Sequence, residues 1–403
     1  MTILFGHPTG NPNSHHAALA HFEAGRLEAF CVPWMPSTFT LRSLRGFGPL
    51  RPFSERLSRR HFDRLADAPK VQGRAGEFRR LLTRALGFGD ERLSYEANDW
   101  LMRAMRSECS RPSVRAVHSY EDCSLWQFEE ARRLGKACIY DMPIGYYPAW
   151  EQTQTQLARE FADWLPEHGL PSTRYVRRDQ KRLEMDLADL VLVPSKFVEA
   201  TIRKFHPNKN LSRAAYGVDS EFWVPPSERT RRGPMRFIYA GQLSVRKGTP
   251  LLLEAWRSAA LHDAVLELVG MWQLDLKKRF ALPSGVTYKP SCSREELRAR
   301  YHAADVFVFP SFFEGFGLVL LEAMACGLPV VATEASAGPE LLTGENGLLI
   351  ATGDRDALIE GLRWFSSHRD ALPEMRRHAR ATAERFTWEN YRRAVTDSVA
   401  PYV

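Results

Sequence analysis

The chain has 403 residues, of which 44% are hydrophobic and 26% charged, a composition that excludes a largely disordered protein and allows two domain cores. No apolar run approaches the roughly 20 residues that span a bilayer, and the opening MTILFGHPTG lacks the basic region and long apolar core of a secretory signal, so we expect a cytoplasmic protein. The formal net charge is +7, and the six cysteines show none of the paired spacing that is typical of a zinc site or a disulfide framework.

The first half of the chain alternates short apolar runs with helical patterns. Short apolar runs bounded by turns predict buried strands, and their alternation with helices predicts a parallel sheet covered on both faces. The predicted strands are Thr2–Gly6, 28–32, 114–117, 137–140 and 190–193.

The turn that follows the first strand leads into a helix that we expect to begin near His15. His15 and His16 at this turn have two interpretations. Either Ser14 caps the helix and the imidazoles are solvated, or the histidines contact a phosphate or an acceptor.

Residues 42–115 form a basic stretch with 17 Lys and Arg residues against 9 Asp and Glu residues. Apolar residues are interleaved with the arginines, two of which, Arg56 and Arg59, lie next to Leu57. One interpretation is a solvated helical surface. The other is attraction to an anionic membrane surface or to a phosphate-bearing acceptor. The base-reading signatures of nucleic-acid proteins are absent, so we expect no nucleic-acid partner.

Polar residues follow the strand predicted at 114–117. Ligands of doubly wound sheets bind beyond the carboxyl ends of the strands. His118, Tyr120 and Glu121 are therefore candidates for contact with an acceptor in a cleft, and the alternative is that they are ordinary loop residues.

Residues 207–234 are polar and proline-rich, which indicates a connection between two domains. A second alternating series follows, with strands predicted at 236–240, 265–269, 286–288, 306–309, 329–333 and 347–350. The predicted fold class is α/β, with two Rossmann-like parallel-sheet domains facing a central cleft. We assign residues 1–215 to the first domain and 216–388 to the second, and expect a C-terminal helix at about 389–403 that could pack back on the first.

The loop after the strand at 236–240 runs from Gly241 to Gly248. Its glycines allow a ligand to approach the backbone, and Arg246 and Lys247 place two cations at a strand end, where a diphosphate could bind. The alternative is a turn followed by two solvated basic residues.

A stronger motif spans residues 306–333, VFVFPSFFEGFGLVLLEAMACGLPVVAT. Glu314 precedes a helix start at Gly315, Phe316, Gly317 and Leu318, whose amides and positive dipole end favour a phosphate. Glu322 interrupts an apolar run, where a charge is costly without a partner. The alternative is that Glu314 only stabilises the helix start and Glu322 lies at the surface.

The two glutamates, separated by seven residues, and the glycine-rich loop before them resemble the GT4 family of retaining glycosyltransferases. Further matching segments span nearly the whole chain: LADLVLVPSKFV at 187–198, YGVDSEFW at 216–223, ENGLLI at 345–350 and FTWENY at 386–391. The resemblance implies the GT-B fold, with the nucleotide-sugar site in the second domain and the acceptor on the side of the first.

The resemblance also implies a role for each matching residue. Glu314 would contact the donor sugar, and the amides of residues 315–318 would hold sugar hydroxyls and phosphate. Glu322 would bind the ribose, and Arg246 and Lys247, beside Gly241, would neutralise the diphosphate. No metal and no cofactor beyond the donor, a UDP-, GDP- or ADP-sugar, is then expected.

The first half departs from the family pattern at one place. Many relatives carry a histidine after the strand that matches residues 136–140, whereas this chain has Asp141 there. Asp141 could accept a hydrogen bond from the sugar or the acceptor hydroxyl as a catalytic residue, or it could cap the loop before Pro143.

The predicted function is transfer of a hexosyl group, with retention, from a nucleotide sugar to a hydroxyl acceptor. Three alternatives compete with this prediction. A nicotinamide-dependent oxidoreductase is disfavoured because no GxGxxG follows the first strand. A sugar-nucleotide epimerase and a non-catalytic protein that binds the donor or docks on a membrane stay open.

Overall fold

The chain forms two parallel β-sheets that are flanked by helices. A computed structural model describes residues 1–46, 54, 57–58, 60–85, 92–167, 177–228 and 233–403. Arg56 and Arg59, and parts of the basic stretch around them, lie outside the described residues. The predicted α/β architecture with two parallel sheets is confirmed.

The first sheet has seven strands in the described part of the chain, in the order β3-β2-β1-β4-β5-β6-β7. All its pairings are parallel, as expected for strands joined by helical crossovers. The strands are β1 (Thr2–Gly6), β2 (Leu27–Cys31), β3 (Lys70–Val71), β4 (Val114–Tyr120), β5 (Ala137–Asp141), β6 (Leu190–Val193) and β7 (Leu211–Arg213).

Helices pack on this sheet because its apolar side chains are buried on both faces. The described helices of this half are α1 (Pro12–Glu23), α2 (Thr38–Gly46), α3 (Arg74–Ala85), α4 (Arg92–Glu108), α5 (Leu125–Arg133), α6 (Tyr147–Glu160), α7 (Arg178–Leu187) and α8 (Lys196–Arg203).

The second sheet has six strands in the described residues, again all parallel, in the order β10-β9-β8-β11-β12-β13. Its strands are β8 (Met235–Ala240), β9 (Ala264–Val269), β10 (Val286–Lys289), β11 (Val306–Phe309), β12 (Val330–Thr333) and β13 (Gly347–Ile350). The helices are α9 (Thr249–Ala259), α10 (Leu276–Phe280), α11 (Arg294–Ala303), α12 (Leu318–Ala325), α13 (Gly338–Leu341), α14 (Arg355–Ser367), α15 (Leu372–Arg385) and α16 (Trp388–Val399).

The chain returns to the first half at its C-terminus. Helix α16 packs against α1 and β6. The Ser398 hydroxyl lies 2.7 Å from that of Ser212, and the amide of Asn210 donates to the Tyr402 hydroxyl at 2.6 Å. These contacts join the end of the chain to the edge strand β7. The domain limits at 215 and 388 stay predictions.

Two strands were missed in the sequence. β3 has two residues and β7 has three, and both lie at the edges of the first sheet with polar or half-buried side chains, so neither gives an apolar run. β7 falls inside the stretch that was interpreted as a connection between domains.

The expected cap of α1 was wrong. The helix begins at Pro12, and Asn11 is the capping residue, with its side chain accepting from the backbone N–H of Ser14 at 2.9 Å. Ser14 completes a reciprocal capping box by accepting from the Asn11 backbone N–H. Pro12 fits the first helical position because it has no N–H to leave unpaired.

Within the described residues, no helix combines the length and the apolar character that crossing a bilayer requires.

Candidate active site

The loops that follow β5 and β11 touch each other across the two halves of the chain. The backbone N–H of Gly145 donates to the Glu314 carbonyl at 3.2 Å, and the Ser195 hydroxyl donates to the Gly315 carbonyl. A Cβ at Gly315 would lie 1.7 Å from the Pro143 carbonyl oxygen, so only glycine permits this approach. The carboxyl ends of both sheets therefore face one site.

Glu314 is the centre of a charged cluster in this site. Its carboxylate forms an ion pair with Lys247 and a longer one, at 3.3 Å, with Arg246. Ser311 donates to the same carboxylate oxygen at 2.9 Å. The side chain of Glu314 is 8% exposed, and burial among these groups lowers the pKa of Lys247. The structure thus brings together the two cations and the first glutamate of the motif.

The cation loop lies directly against the glutamate loop. Arg246 donates to the Phe313 carbonyl at 2.7 Å, and the Phe312 N–H donates to the Arg246 carbonyl at 2.9 Å. Gly248 has a φ of 72°, and a Cβ there would lie 1.9 Å from the Pro310 carbonyl oxygen. Gly241, at the end of β8, has a φ of 147°. Gly248 therefore lets the two loops come into contact.

The helix start that was predicted at residues 315–318 is observed. Gly317 has a φ of 87° and precedes α12, whose first residue is Leu318. The Phe316 ring is buried against the Tyr216 ring at 5.6 Å, and the Phe316 carbonyl accepts from the Ala337 N–H. The first turn of α12 has no acidic residue, so no carboxylate from that turn accepts hydrogen bonds from its backbone amides.

Glu322 lies on the second turn of α12, apart from the Glu314 cluster. Its carboxylate has no hydrogen-bond partner in the described part of the chain. Burial raises its pKa to about 7, and the positive charge of Arg294 opposes this shift in part. A carboxylate with free acceptor oxygens is suited to vicinal hydroxyls.

Asp141 ends β5 and is buried beside β4. Its carboxylate oxygen lies 3.6 Å from His118 Nε2, and burial raises its pKa to about 7. Burial lowers the pKa of His118 to about 3, while His118 Nδ1 lies 2.9 Å from His21 Nε2. The structure therefore joins two of the predicted residues, Asp141 and His118, with an interior histidine that the sequence did not indicate.

Three buried tyrosine hydroxyls face the same carboxylate. Burial raises the pKa of Tyr120, Tyr216 and Tyr391, and the negative charge of Asp141 adds to the shift in each. None of the three hydroxyls makes a well-directed hydrogen bond among the described residues, although Tyr120 lies close to both Asp141 and Tyr391. Tyr120 was predicted as a site residue. Tyr216 and Tyr391 lie in the matching segments YGVDSEFW and FTWENY but were not predicted, because no local pattern shows that they converge.

His15 and His16 lie in the interior beside α16 and not on a solvated turn. His16 stacks on Trp388 at 4.2 Å between ring centroids and lies 3.0 Å from Arg392, and burial lowers its pKa to about 3. His15 stacks on Phe62 at 5.3 Å, and burial lowers its pKa to about 4. The solvated interpretation is therefore wrong, since aromatic rings cover both imidazoles.

Glu121 points away from Asp141, toward α7. Its carboxylate forms an ion pair with Lys181 at 2.9 Å, and Lys181 also reaches Asp122 at 3.0 Å. Burial raises the pKa of Glu121 in spite of the lysine. Among the described residues, no group of three or more His, Cys, Asp or Glu side chains is placed to hold a metal ion.

Comparison with known proteins places these features in a family. The family described as "Glycosyl transferases group 1" matches residues 234–368, which contain both glutamates and both cations. The O-antigen chain mannosyltransferase B of Escherichia coli is 33% identical over 277 residues, which cover 63% of this chain and 72% of that protein.

Two other relatives match this chain over only part of their own length. The sulfoquinovosyl transferase SQD2 of Arabidopsis thaliana is 31% identical over 50% of this chain and 42% of its own length. The D-inositol 3-phosphate glycosyltransferase of Paenarthrobacter aurescens is 30% identical over 52% of this chain and 59% of its own length. The chain thus spans about half the length of these two relatives.

Solved structures share the fold at low identity. Sucrose-phosphate synthase from Thermosynechococcus elongatus matches all of this chain and 98% of its own, with a TM-score of 0.66 and 17% identity. HepE from Anabaena, in complex with UDP-glucose, matches over the full length of both chains, with a TM-score of 0.63 and 15% identity.

Replacement Glu322→Gln should change how stability depends on pH. The pKa of Glu322 is raised from 4.5 to about 7 in the folded chain. The protonated carboxyl therefore contributes its full share of folding stability below pH 4.5, and this stability is lost as the pH rises through 7. Relative to Glu322→Gln, the wild type should lose roughly 1–3 kcal/mol between pH 4.5 and 8. Denaturation at a series of pH values measures this difference, with exposed Glu360→Gln as the control. Parallel pH profiles for wild type and Glu322→Gln would contradict the assignment.

Replacement Tyr391→Phe should leave the melting temperature unchanged or raise it, because the lost hydroxyl is buried and makes no well-directed hydrogen bond among the described residues, although Tyr120 is close. Tyr140→Phe is the matched control, since the Tyr140 hydroxyl donates to Glu184 at 2.9 Å. That variant should cost about 1–2 kcal/mol. An equal loss in both variants would indicate that a buried water satisfies Tyr391.

Proposed function

Because the chain belongs to the group 1 family of glycosyl transferases, we propose that it transfers a hexosyl group, with retention, from a nucleoside diphosphate sugar to a hydroxyl acceptor. The donor base is uracil, guanine or adenine. The HepE structure in complex with UDP-glucose supports a nucleotide sugar as donor.

The observation that carries this proposal is the ion pairing of Glu314 with Lys247 and Arg246 where the two halves meet. A diphosphate needs cations, and these two lie at a strand end beside the start of α12. The carboxylate holds them in place before the donor arrives. On donor binding, phosphate oxygens take over the guanidinium and ammonium groups, and Glu314 becomes available to the sugar hydroxyls.

In the reaction we propose, the bond between the anomeric carbon and the diphosphate oxygen breaks, and the acceptor oxygen bonds to that carbon on the same face. The departing diphosphate develops negative charge, which Arg246, Lys247 and the amides at the start of α12 stabilise. A diphosphate oxygen accepts the acceptor proton. No separate general base is then required.

Two further carboxyl groups complete the proposal. Glu322, with free acceptor oxygens, receives hydrogen bonds from the ribose hydroxyls, which favours its ionised form. Asp141 contacts the transferred sugar or the acceptor hydroxyl from the opposite loop. A pKa of about 7 allows Asp141 to accept or to donate a hydrogen bond near neutral pH.

We also propose that the face formed by α2 and α3 associates with anionic membranes. Apolar side chains are exposed there next to arginines: Phe39 is 79% exposed, Phe78 44% and Leu82 44%. Exposed Arg42 follows Phe39 by one helical turn, and Arg79, which stays exposed although it pairs with Glu96 at 2.9 Å, is next to Phe78. Apolar insertion and attraction to anionic headgroups then act together. Arg60 and Arg80 contribute little, because both are committed to buried Glu77.

Replacement Glu314→Gln should lower transfer by roughly 100-fold or more, because a neutral amide cannot stabilise charge developing on the sugar. Affinity for the free nucleoside diphosphates should be kept or increase, since Lys247 and Arg246 lose their counterion. Product formation and calorimetry with UDP, GDP and ADP measure the two quantities, with exposed Glu345→Gln as the control. Undiminished turnover would remove Glu314 from the mechanism.

The double replacement Arg246→Ala with Lys247→Ala should weaken nucleoside diphosphate binding by roughly 100-fold, the loss expected for two charged contacts. Binding of the corresponding nucleoside should change little, because the cations are assigned to phosphate. Calorimetry of both ligands separates the effects, with exposed Arg257→Ala and Lys277→Ala as the charge-matched control. Equal losses for nucleoside and nucleoside diphosphate would refute the assignment.

The proposed membrane face should bind vesicles that contain anionic lipid and not neutral vesicles, with affinity that falls as salt rises. Arg42→Glu with Arg79→Glu should abolish cosedimentation. Arg115→Glu, an exposed charge reversal on β4, should leave it unchanged. Sedimentation without lipid dependence would leave the basic stretch as solvated surface.

A further inference from the structure

A cavity of about 350 Å³ lies at the carboxyl ends of β2 and β3, outside the site described above. Pro33, just after β2, and Gly73, just after β3, form part of its wall, and the Gly73 N–H donates to the Pro33 carbonyl at 2.9 Å. Helices α3 and α4 supply the rest of its described lining. Ligands of open parallel sheets bind at this edge.

The cavity is positively charged although it contains carboxylates. Among the described residues, three arginines and three carboxylates line the cavity. Two further arginines form ion pairs with these carboxylates but do not line the cavity themselves. The arginines are Arg60, Arg79, Arg80, Arg103 and Arg177, and the acids are Glu77, Glu96 and Asp99. The surplus of two positive charges favours a ligand with an anionic group.

Two of the lining arginines have donors to spare. Arg80 binds Glu77 through Nε and Nη2, which leaves Nη1 without a partner in the described part of the chain. Arg103 contacts no carboxylate there, and its guanidinium lies 5.8 Å from the Trp126 ring. Arg80 is almost fully buried and fixed by two hydrogen bonds, so it is preorganised for an anion.

An aromatic wall accompanies these charges. Trp100 is half-buried and lines the cavity, and a Cβ at Gly73 would lie 2.3 Å from its indole ring. Gly73 therefore lets the ring pack against the backbone, which fixes its orientation. An indole face offers apolar contact to a sugar ring, and Glu96 and Asp99 offer acceptors for hydroxyls.

The cavity is too far from the reacting centre to hold the attacked hydroxyl. β3 is four places from β5 in the sheet, and strands lie 4.7–4.9 Å apart, so the Gly73 wall of the cavity lies about 19 Å from the end of β5. The α4 wall is nearer, because Asn98 donates to the Asp122 carbonyl just after β4. A ligand that occupies both places must be extended.

We propose that this cavity anchors a distal sugar of an extended acceptor, and that this sugar carries a phosphate or carboxylate group. The inference rests on the proposed transfer reaction. The anionic group binds Arg80 and Arg103, and the sugar ring lies against Trp100. The acceptor then reaches along the carboxyl edge of the first sheet to Asp141.

The test measures, by NMR, the direct binding of glucose 6-phosphate and of glucose to the full chain. Saturating UDP is present to block the donor site. We expect glucose 6-phosphate to bind and glucose to bind at least tenfold more weakly, because glucose lacks the charge that contacts Arg80 and Arg103. Arg103→Glu and Trp100→Ala should each weaken glucose 6-phosphate about tenfold, and Trp100→Phe should restore most of the loss.

Arg106→Glu is the matched control, because Arg106 is exposed on the same helix and does not line the cavity. An equal loss in Arg106→Glu, equal affinity for glucose, or no binding at all would overturn the proposal. Release from phosphatidylglycerol vesicles by Arg103→Glu with unchanged glucose 6-phosphate binding would also overturn it, and would assign the surface to a membrane.

UDP affinity, measured separately, should be unaffected by these variants. A chain that bound glucose 6-phosphate but no nucleotide would refute the proposed transfer and leave the cavity assignment standing.

Discussion

The contact between the loops after β5 and β11 is the constraint on which the site depends. Each loop leaves the carboxyl end of a parallel sheet, and each sheet belongs to a different half of the chain. The approach is close enough that Gly315 has no space for a Cβ against the Pro143 carbonyl. Asp141, two residues before Pro143, and Glu314, next to Gly315, are therefore held near one another by backbone contact.

Charge balance is a second constraint at this contact. Arg246 and Lys247 lie in a largely buried position, where two uncompensated cations would repel and would lose hydration. Glu314 compensates one charge and leaves a surplus of one. A diphosphate brings more negative charge than a single carboxylate, so it competes well for the same cations. On the proposed donor binding, this exchange would free Glu314 without leaving either cation unpaired.

The C-terminal helix links the two halves a second time. α16 follows the second sheet in the chain but places Trp388 and Arg392 on His16 and Tyr391 beside Tyr120. The candidate acceptor side is thus built partly from the last residues of the chain. Any opening between the halves must take place around both this helix and the loop contact, which limits the motion available to the cleft.

The sequence alone determined the main strands and pointed to the candidate residues of the donor side. β11 and β6 are apolar runs buried on both faces, which give a strong local signal. Glu314 and Glu322 interrupt apolar segments, where a charged residue is unfavourable unless it has a partner. Gly241, Arg246 and Lys247 are likewise local to one strand end. Motif spacing sufficed here because each piece lies within one strand, loop and helix.

Only the tertiary structure decided the acceptor side. His15 and His16 look like polar turn residues, yet Phe62 and Trp388 cover them, and Arg392, the partner of His16, is 376 positions away. The edge strands β3 and β7 are too short to show a period. The tyrosines around Asp141, and the wall that Gly73 and Trp100 form, come from separate segments whose meeting no local pattern records. Long-range packing brings them together, because side chains far apart in the chain converge only when both sheets and the last helix are in place.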